Sequence, residues 1–302
     1  MTKVLVTSYT NPDLDGVSCM VGVAELLKAQ GVDVTATMFG DPLEEVKWIA
    51  KTWGCVLPEQ IDPCFADEII LVDTCDLMHL DSRIDPCKVV EIIDHRVVTD
   101  KLAFPNARFQ IELVGAAATL VAERFQVAGH TPTLPTTMLL YAAIVDGTLH
   151  FLTSNTTDRD KKAADYLASI VNIPSSFVHD LFDCKSDLAG SKLSKRLVDD
   201  LAVKKTMGRM LGIAQIETVD VASLIPKRLD EILEILVMIK TAEHADAIFL
   251  NILDISNQQN MIVCDDPDMK LLLEDLLGVQ FHDKVALRNG LLLRKQIRQL
   301  LV

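Results

Sequence analysis

Four acidic clusters are the part of this sequence that could do chemistry. They are residues 11–16 (NPDLDG), 73–76 (DTCD), 94–96 (DHR) and 146–148 (DGT). Gathering several carboxylates is costly unless divalent cations neutralise them. One histidine among many aspartate oxygens suits Mn²⁺ or Mg²⁺ better than a thiolate-type zinc site. Two such ions can deliver a hydroxide and stabilise the attacking and leaving oxygens of a phosphoryl transfer. The clusters therefore predict a metal-dependent hydrolase.

Short β-branched runs precede the first three clusters, and an apolar helix ends at the fourth. Helices are predicted after Asp15 and across residues 43–52. The predicted strands are residues 3–8, 34–39, 68–72 and 88–93. Their continuous apolar character is typical of buried parallel strands, and the βαβ rhythm predicts an α/β fold. The carboxyl ends of such strands form the functional crevice, where the clusters would meet. A single aspartate after a strand is more often a helix cap, and Asp15 could simply cap its own helix.

The second half of the chain repeats this alternation after a polar segment. Residues 115–182 are predicted to be mostly helical, and the polar, Gly- and Ser-containing residues 183–194 are predicted to be a linker. We place the domain boundary near residue 188, which gives domains 1–188 and 189–302. Beyond it we predict strands at 210–217, 245–255 and 261–264 and helices at 225–242 and 268–277.

The composition and net charge of the chain argue against some classes of binding partner. The 302 residues are 49% hydrophobic and 24% charged, with a net charge of −14. This acidity argues against nucleic acid or an anionic membrane as a partner, because both repel an acidic surface. It permits a small anionic phosphate substrate held by a metal. Seven scattered cysteines without a CxxC pair indicate reduced thiols and predict a cytoplasmic protein. The sequence leaves a homodimer open.

At these same residues the sequence resembles the DHH phosphoesterase superfamily, in the subgroup that carries a DHHA2 C-terminal domain. That subgroup contains the family II (manganese-dependent) inorganic pyrophosphatases and the Prune-like and exopolyphosphatase enzymes. The resemblance covers almost the whole chain and implies an N-terminal parallel-sheet DHH domain, a smaller α/β DHHA2 domain and an active site in the cleft between them. The matching segments are residues 11–15, Asp73, 94–96, 142–146, 148–151, 157–160, 212–220, 249–255 and 290–297.

The resemblance also implies roles for individual residues. It implies a tight metal site and a weaker one, for Mn²⁺ or else Mg²⁺ or Co²⁺. The tight site would comprise Asp15, Asp73, His95 and Asp146. The weaker one would comprise Asp13 and a bridging Asp73. Asp94 would support His95 or the attacking water. The cationic substrate-binding residues would be Arg96, Arg294, Lys295 and Lys204. A simpler interpretation is that Arg294 and Lys295 only solubilise a C-terminal strand.

Three positions depart from the pyrophosphatase pattern. Tyr9 stands where those enzymes have a histidine, and a neutral phenol is a poor metal ligand. Arg96 replaces the second histidine of the DHH triplet; it cannot act as an acid near pH 7 but can grip a phosphate through two parallel N–H bonds. Cys75 lies in the second cluster, and we expect it to lie near the site without binding the metal.

Two functions follow as expectations. The leading one is a phosphohydrolase that cleaves pyrophosphate, short polyphosphate or a small phosphoester by attack of a metal-activated water, with Asp94, His95 and Arg96 in the catalytic group. The alternative is a non-catalytic or regulatory phosphate-binding module that kept the fold and one metal site.

Overall fold

A computed structural model describes residues 2–96, 101–186, 188, 190–206, 208–219 and 221–301. The chain separates into two compact units, residues 1–181 and 182–302. The boundary that we placed near residue 188 therefore lies inside the second unit. The predicted linker at 183–194 contains the end of one helix and the start of another.

The first unit is built on a parallel sheet with strand order β2-β1-β3-β4-β5. Its strands are β1 (Lys3–Thr7), β2 (Asp33–Ala36), β3 (Glu68–Val72), β4 (Val89–Asp94) and β5 (Arg108–Ile111). Strands β1, β3 and β4 are almost wholly buried, as their unbroken apolar runs predicted. Strand β5 was not predicted, because it is only four residues long and only partly buried at the sheet edge.

Helices cover this sheet. They are α1 (Leu14–Ala29), α2 (Glu44–Trp53), α3 (Ala117–Ala128), α4 (Leu134–Gly147), α5 (Asp158–Ile170) and α6 (Phe177–Lys185). Helix α1 is buried on most of its circumference because α3 and α4 both pack against it. Gly22 permits this close approach, since a Cβ there would lie 2.8 Å from Val121 Cγ1. The start of α1, which carries Asp15, is thus held firmly.

The second unit contains a mixed sheet with strand order β10-β11-β9-β8-β7-β6. The strands are β6 (Leu201–Thr206), β7 (Arg209–Thr218), β8 (Ala247–Asp254), β9 (Gln259–Val263), β10 (Phe281–His282) and β11 (Val285–Asn289). The helices are α7 (Lys192–Asp199), α8 (Val221–Ala242), α9 (Pro267–Leu277) and α10 (Arg294–Leu300). Apolar clusters cover both faces of this sheet.

The predicted α/β class is confirmed, as are the strands and helices expected around β7, α8, β8, β9 and α9. The interpretation of the Arg294 segment as a C-terminal strand is wrong, because α10 begins at Arg294. None of the helices in the described part of the chain is long and apolar enough to cross a membrane.

Candidate metal centre

Three of the predicted ligands converge where the strands of the first sheet end. Asp73 directly follows β3, His95 directly follows β4, and Asp15 lies in the first turn of α1. One ligand atom from each of these side chains lies within 4.8 Å of the others. His95 Nε2 is 3.5 Å from Asp73 Oδ1 and 3.9 Å from Asp15 Oδ2. Two carboxylates and one imidazole therefore face a common point.

The ring of His95 is oriented by the backbone. Its Nδ1 lies 3.0 Å from the carbonyl oxygen of Val114. Because a carbonyl only accepts, Nδ1 is the donor of this bond, and Nε2 is the ring nitrogen that faces the carboxylates. Metal-binding histidines are held in this way by a hydrogen bond from the other ring nitrogen.

Asp15 is fixed by a different helix from its own. Its Oδ2 accepts from the Ala117 N–H at 2.7 Å and its Oδ1 from the Ala118 N–H at 2.8 Å. These donors belong to the first turn of α3, whose N-cap residue, Ala116, has no side-chain acceptor for them. The idea that Asp15 caps its own helix is thus wrong. Asp13 is the N-cap of α1 and accepts from the N–H groups of Asp15 and Gly16.

Asp73 combines burial with an unusual backbone. The residue is 1% exposed, and its φ of 51° lies in the left-handed region. Its N–H donates to the Ile93 carbonyl at 2.8 Å. A left-handed conformation costs a non-glycine residue on the order of 1–3 kcal/mol and concentrates at functional sites.

The electrostatics of this cluster favour a cation. Burial, and then the neighbouring Asp13, raise the pKa of Asp15 to about 7. Burial and the facing Asp15 raise the pKa of Asp73 well above its ordinary value. Buried carboxylates that face each other resist ionisation, and a divalent cation between them removes that cost. The oxygen and imidazole donors present here fit Mn²⁺ or Mg²⁺.

The other two predicted ligands stand apart from this group among the described residues. Asp13 is half-buried, and its Oδ1 is occupied by the cap of α1. Asp146 is half-buried in the last turn of α4. Neither is a member of the cluster whose ligand atoms lie within 4.8 Å of one another. Their assignment as ligands stays a prediction.

Asp94 supports the turn that presents His95. It is fully buried at the end of β4, and its Oδ1 accepts from the N–H groups of His95 at 2.7 Å and Arg96 at 3.1 Å.

Burial and Asp94 raise the pKa of the Cys75 thiol to about 12. That thiol is therefore protonated near neutral pH, as expected of a bystander.

Arg96 points into the acidic cluster. Its Nη2 donates to the Asp73 carbonyl oxygen at 2.5 Å and to Asp73 Oδ1 at 2.6 Å, and its Nε lies 3.3 Å from Asp94 Oδ1. Burial opposes the charge, but Asp73 and Asp94 outweigh it and raise the pKa of Arg96 above its ordinary value. We expected this guanidinium to bind a phosphate group of the substrate. In the structure it contacts the carboxylates of Asp73 and Asp94.

Tyr9 lies beside these residues as a neutral phenol. Its hydroxyl oxygen accepts from the Asp13 N–H at 3.1 Å. Burial, and then the Asp13 and Asp73 carboxylates, raise the pKa of Tyr9 well above its ordinary value. The Arg96 guanidinium carbon lies 5.8 Å from the centre of the Tyr9 ring.

The other predicted phosphate-binding cations, Arg294, Lys295 and Lys204, belong to the second unit. Arg294 Nη1 lies 2.7 Å from Asp200 Oδ1, and the Arg294 N–H donates to Gln215 Oε1 at 2.6 Å. Lys295 is exposed on α10 and Lys204 is exposed on β6.

Two sets of polar residues near the predicted site residues were given no role in the sequence analysis. The buried amides of Asn251 and Asn260 bind the backbone of Leu292, just before Arg294. Asp160 is fully buried, and both of its carboxylate oxygens accept from the Gly115 N–H, at 2.9 and 3.0 Å. A Thr-x-x-Asp capping box, Thr157 to Asp160, was the available sequence signal.

Part of this chain matches a known family, and almost the whole chain is similar to known proteins. Residues 3–145 match the DHH family, N-terminal domain. The chain is 26% identical over 300 residues to a probable manganese-dependent inorganic pyrophosphatase of Bacillus licheniformis, covering 98% of this chain and 96% of that one. It is 28% identical over 255 residues to a manganese-dependent inorganic pyrophosphatase of Methanothrix thermoacetophila, covering 84% and 82%.

A solved structure shows the same fold. It is a Methanococcus jannaschii protein assigned to the family II inorganic pyrophosphatases, with a TM-score of 0.72, 24% identity and 99% coverage of each chain. The resemblance inferred from the sequence is confirmed, since residues 3–145 match that family model. The expected two-unit α/β architecture is also confirmed, with a parallel sheet in the first unit and a mixed sheet in the second.

Proposed function

We propose that this protein is a manganese-dependent hydrolase of phosphoanhydrides, with inorganic pyrophosphate as its substrate. The observation that carries the proposal is the convergence of Asp15, Asp73 and His95, with His95 Nε2 turned toward the two carboxylates. The names of the relatives from Bacillus licheniformis and Methanothrix thermoacetophila support both the metal and the substrate. Short polyphosphate and small phosphoesters are further substrates to be tested.

The chain's own residues would act in distinct ways. Asp15, Asp73 and His95 would hold the cation, with Asp146 as a further proposed ligand and Asp13 as a proposed ligand of a weaker site. A bound Mn²⁺ supplies a lower pKa to a coordinated water and neutralises charge on a phosphate oxygen. Asp94 would keep the His95 turn in place through its bond to the His95 N–H.

Substrate phosphate would be held by arginine and lysine side chains. Arg294 presents five N–H donors, and its ion pair with Asp200 involves Nη1, which leaves donors on Nη2 and Nε for a phosphate. Lys295 and Lys204 are exposed and would add positive charge. Asp200 would hold the Arg294 guanidinium in a fixed orientation before substrate arrives.

A second candidate function is binding without turnover. The contact between Arg96 Nη2 and Asp73 Oδ1 favours it, because that carboxylate oxygen is shared with a guanidinium. The two candidate functions differ in whether the protein cleaves a phosphoanhydride that it has bound.

A phosphate-release assay tests the proposal. Pyrophosphate, tripolyphosphate and a small phosphomonoester would each be assayed with Mn²⁺, Mg²⁺ and Co²⁺ in turn. We expect release from pyrophosphate to be fastest with Mn²⁺ and to disappear in His95→Gln. His79→Gln is the matched control, since His79 is exposed and its ring nitrogen lies 3.8 Å from Asp76 alone. Metal binding without phosphate release from any substrate would instead support the binding module.

A further inference from the structure

Arg96 places a positive charge next to the Asp73 carboxylate. The Arg96 guanidinium joins two carboxylates that are almost completely buried, Asp73 at 1% and Asp94 at 0% side-chain exposure. It contacts Asp73 through both the carbonyl oxygen and Oδ1. A positive group therefore already lies against the Asp73 carboxylate, where a second metal ion would share this residue.

Two other polar groups around this position, those of Asp13 and Tyr9, already have hydrogen-bond partners in the protein. Asp13 Oδ1 accepts from two backbone N–H groups at 3.0 and 3.1 Å. The Tyr9 hydroxyl accepts from the Asp13 N–H. A phenol is a weak donor to a metal, and a guanidinium has no lone pair to offer and repels a cation. Tyr9 and Arg96 therefore give a second divalent ion no good donor beside Asp73.

His95 and Asp15 are the neighbours of Asp73 that do fit a divalent ion. His95 Nε2 approaches Asp73 Oδ1 at 3.5 Å, and Asp15 completes the group. The neighbours of Asp73 thus differ in kind. Asp15 and His95 present oxygen and nitrogen donors, whereas Arg96 presents a guanidinium whose carbon lies 5.8 Å from the centre of the Tyr9 ring.

We propose that the Arg96 guanidinium takes the place of a second metal ion, so that the centre binds one divalent cation per chain. This replaces the tight-plus-weak pair of sites expected from the sequence. It rests on the proposed function for the position of the first cation. The charge beside Asp73 is then permanent and independent of metal concentration, because arginine stays protonated at any physiological pH. About half of the Arg96 side chain, 53%, is exposed, so its other N–H groups can reach a phosphate.

Metal counting tests this proposal without any reaction. The purified full-length protein would be dialysed against a range of Mn²⁺ concentrations, and bound metal per chain measured by elemental analysis. We expect the parent to saturate at one ion. The double variant Tyr9→His with Arg96→His removes the guanidinium and supplies two imidazoles, and we expect it to saturate at two. Arg108→His is the matched control, since Arg108 is exposed and pairs with Glu91; it should stay at one.

Each outcome is informative. Two ions in the parent would overturn the proposal outright, and that measurement needs no variant to fold. One ion in both the parent and a folded double variant would also overturn it, because Arg96 would then not be what excludes the second ion. No bound ion in the parent would instead refute the metal centre of the proposed function. Circular dichroism and a thermal melt would show whether the double variant is folded.

Discussion

Asp160 is predicted to control metal affinity without touching the metal. Both of its carboxylate oxygens bind the Gly115 N–H, and Oδ1 also accepts from the Thr119 hydroxyl at 2.6 Å. The turn that begins there supplies the Val114 carbonyl to His95 and two N–H groups of α3 to Asp15. Asp160 therefore holds the backbone segment that contacts two of the three converging ligands, His95 and Asp15.

Replacing Asp160 by Asn tests this connection. The amide keeps the shape of the side chain but has one uncharged acceptor oxygen, so the Gly115 N–H keeps only one of its two acceptors, and the new NH2 group meets either the Thr157 N–H or the Thr119 hydroxyl. Hydrogen bonds to a charged group contribute about 1.5–3 kcal/mol each. Loss of groups that orient metal ligands typically weakens metal binding by about 10–100-fold. We expect a fall in Mn²⁺ affinity within that range.

Calorimetric titration of Mn²⁺ into folded protein would measure the change. The control is Thr157→Val, which removes the hydroxyl from the capping box of α5 while Asp160 keeps its bonds to Gly115. A lost cap costs about 0.5–2 kcal/mol of stability, so the control should lower the melting temperature with little effect on Mn²⁺ affinity. The reasoning is refuted if Asp160→Asn binds Mn²⁺ as tightly as the parent, or if both variants weaken binding equally.

Three further predictions follow from the same contacts. Asp73→Ala should abolish Mn²⁺ binding and phosphate release together, because Asp73 is the carboxylate that faces both His95 and Arg96; retained metal in elemental analysis would contradict this. Replacing Arg294 and Lys295 together by Ala should cut kcat/KM for pyrophosphate by roughly tenfold or more while metal content is unchanged, as expected for lost charge-assisted phosphate contacts; unchanged kinetics would remove both from the substrate site. Gly22→Ala should destabilise the fold by about 1–3 kcal/mol in urea, since its Cβ would meet Val121 Cγ1 at 2.8 Å; unchanged stability would mean that α1 and α3 can separate at little cost.

The convergence of Asp15, Asp73 and His95 could be predicted because it depends on a general property of parallel sheets. Residues that follow neighbouring strands share one edge of the sheet. Strands β3 and β4 are adjacent, and both are read easily from unbroken apolar runs. No side-chain geometry was needed for that step.

Short and exposed elements could not be predicted in the same way. Strand β6 (LAVKKT) is only partly buried, so its sequence lacks the apolar run that marked the central strands. Helix α7 has buried residues only at Leu193 and Leu197, and its Ser- and Lys-containing sequence resembled a linker. In both cases pairing with β7 or packing against it decides the structure, and that information is remote in the sequence.

Arg96 shows why the type of a residue is not enough to predict its role. From its chemistry alone, an arginine beside a metal centre was expected to grip a phosphate. The left-handed backbone of Asp73 places the carbonyl oxygen and Oδ1 of that residue within reach of the same Arg96 nitrogen. One long side chain can then bind both oxygens and also approach Asp94. The departure that removes a histidine from the DHH triplet therefore also supplies a fixed positive charge, and the two effects together favour a centre with a single metal ion.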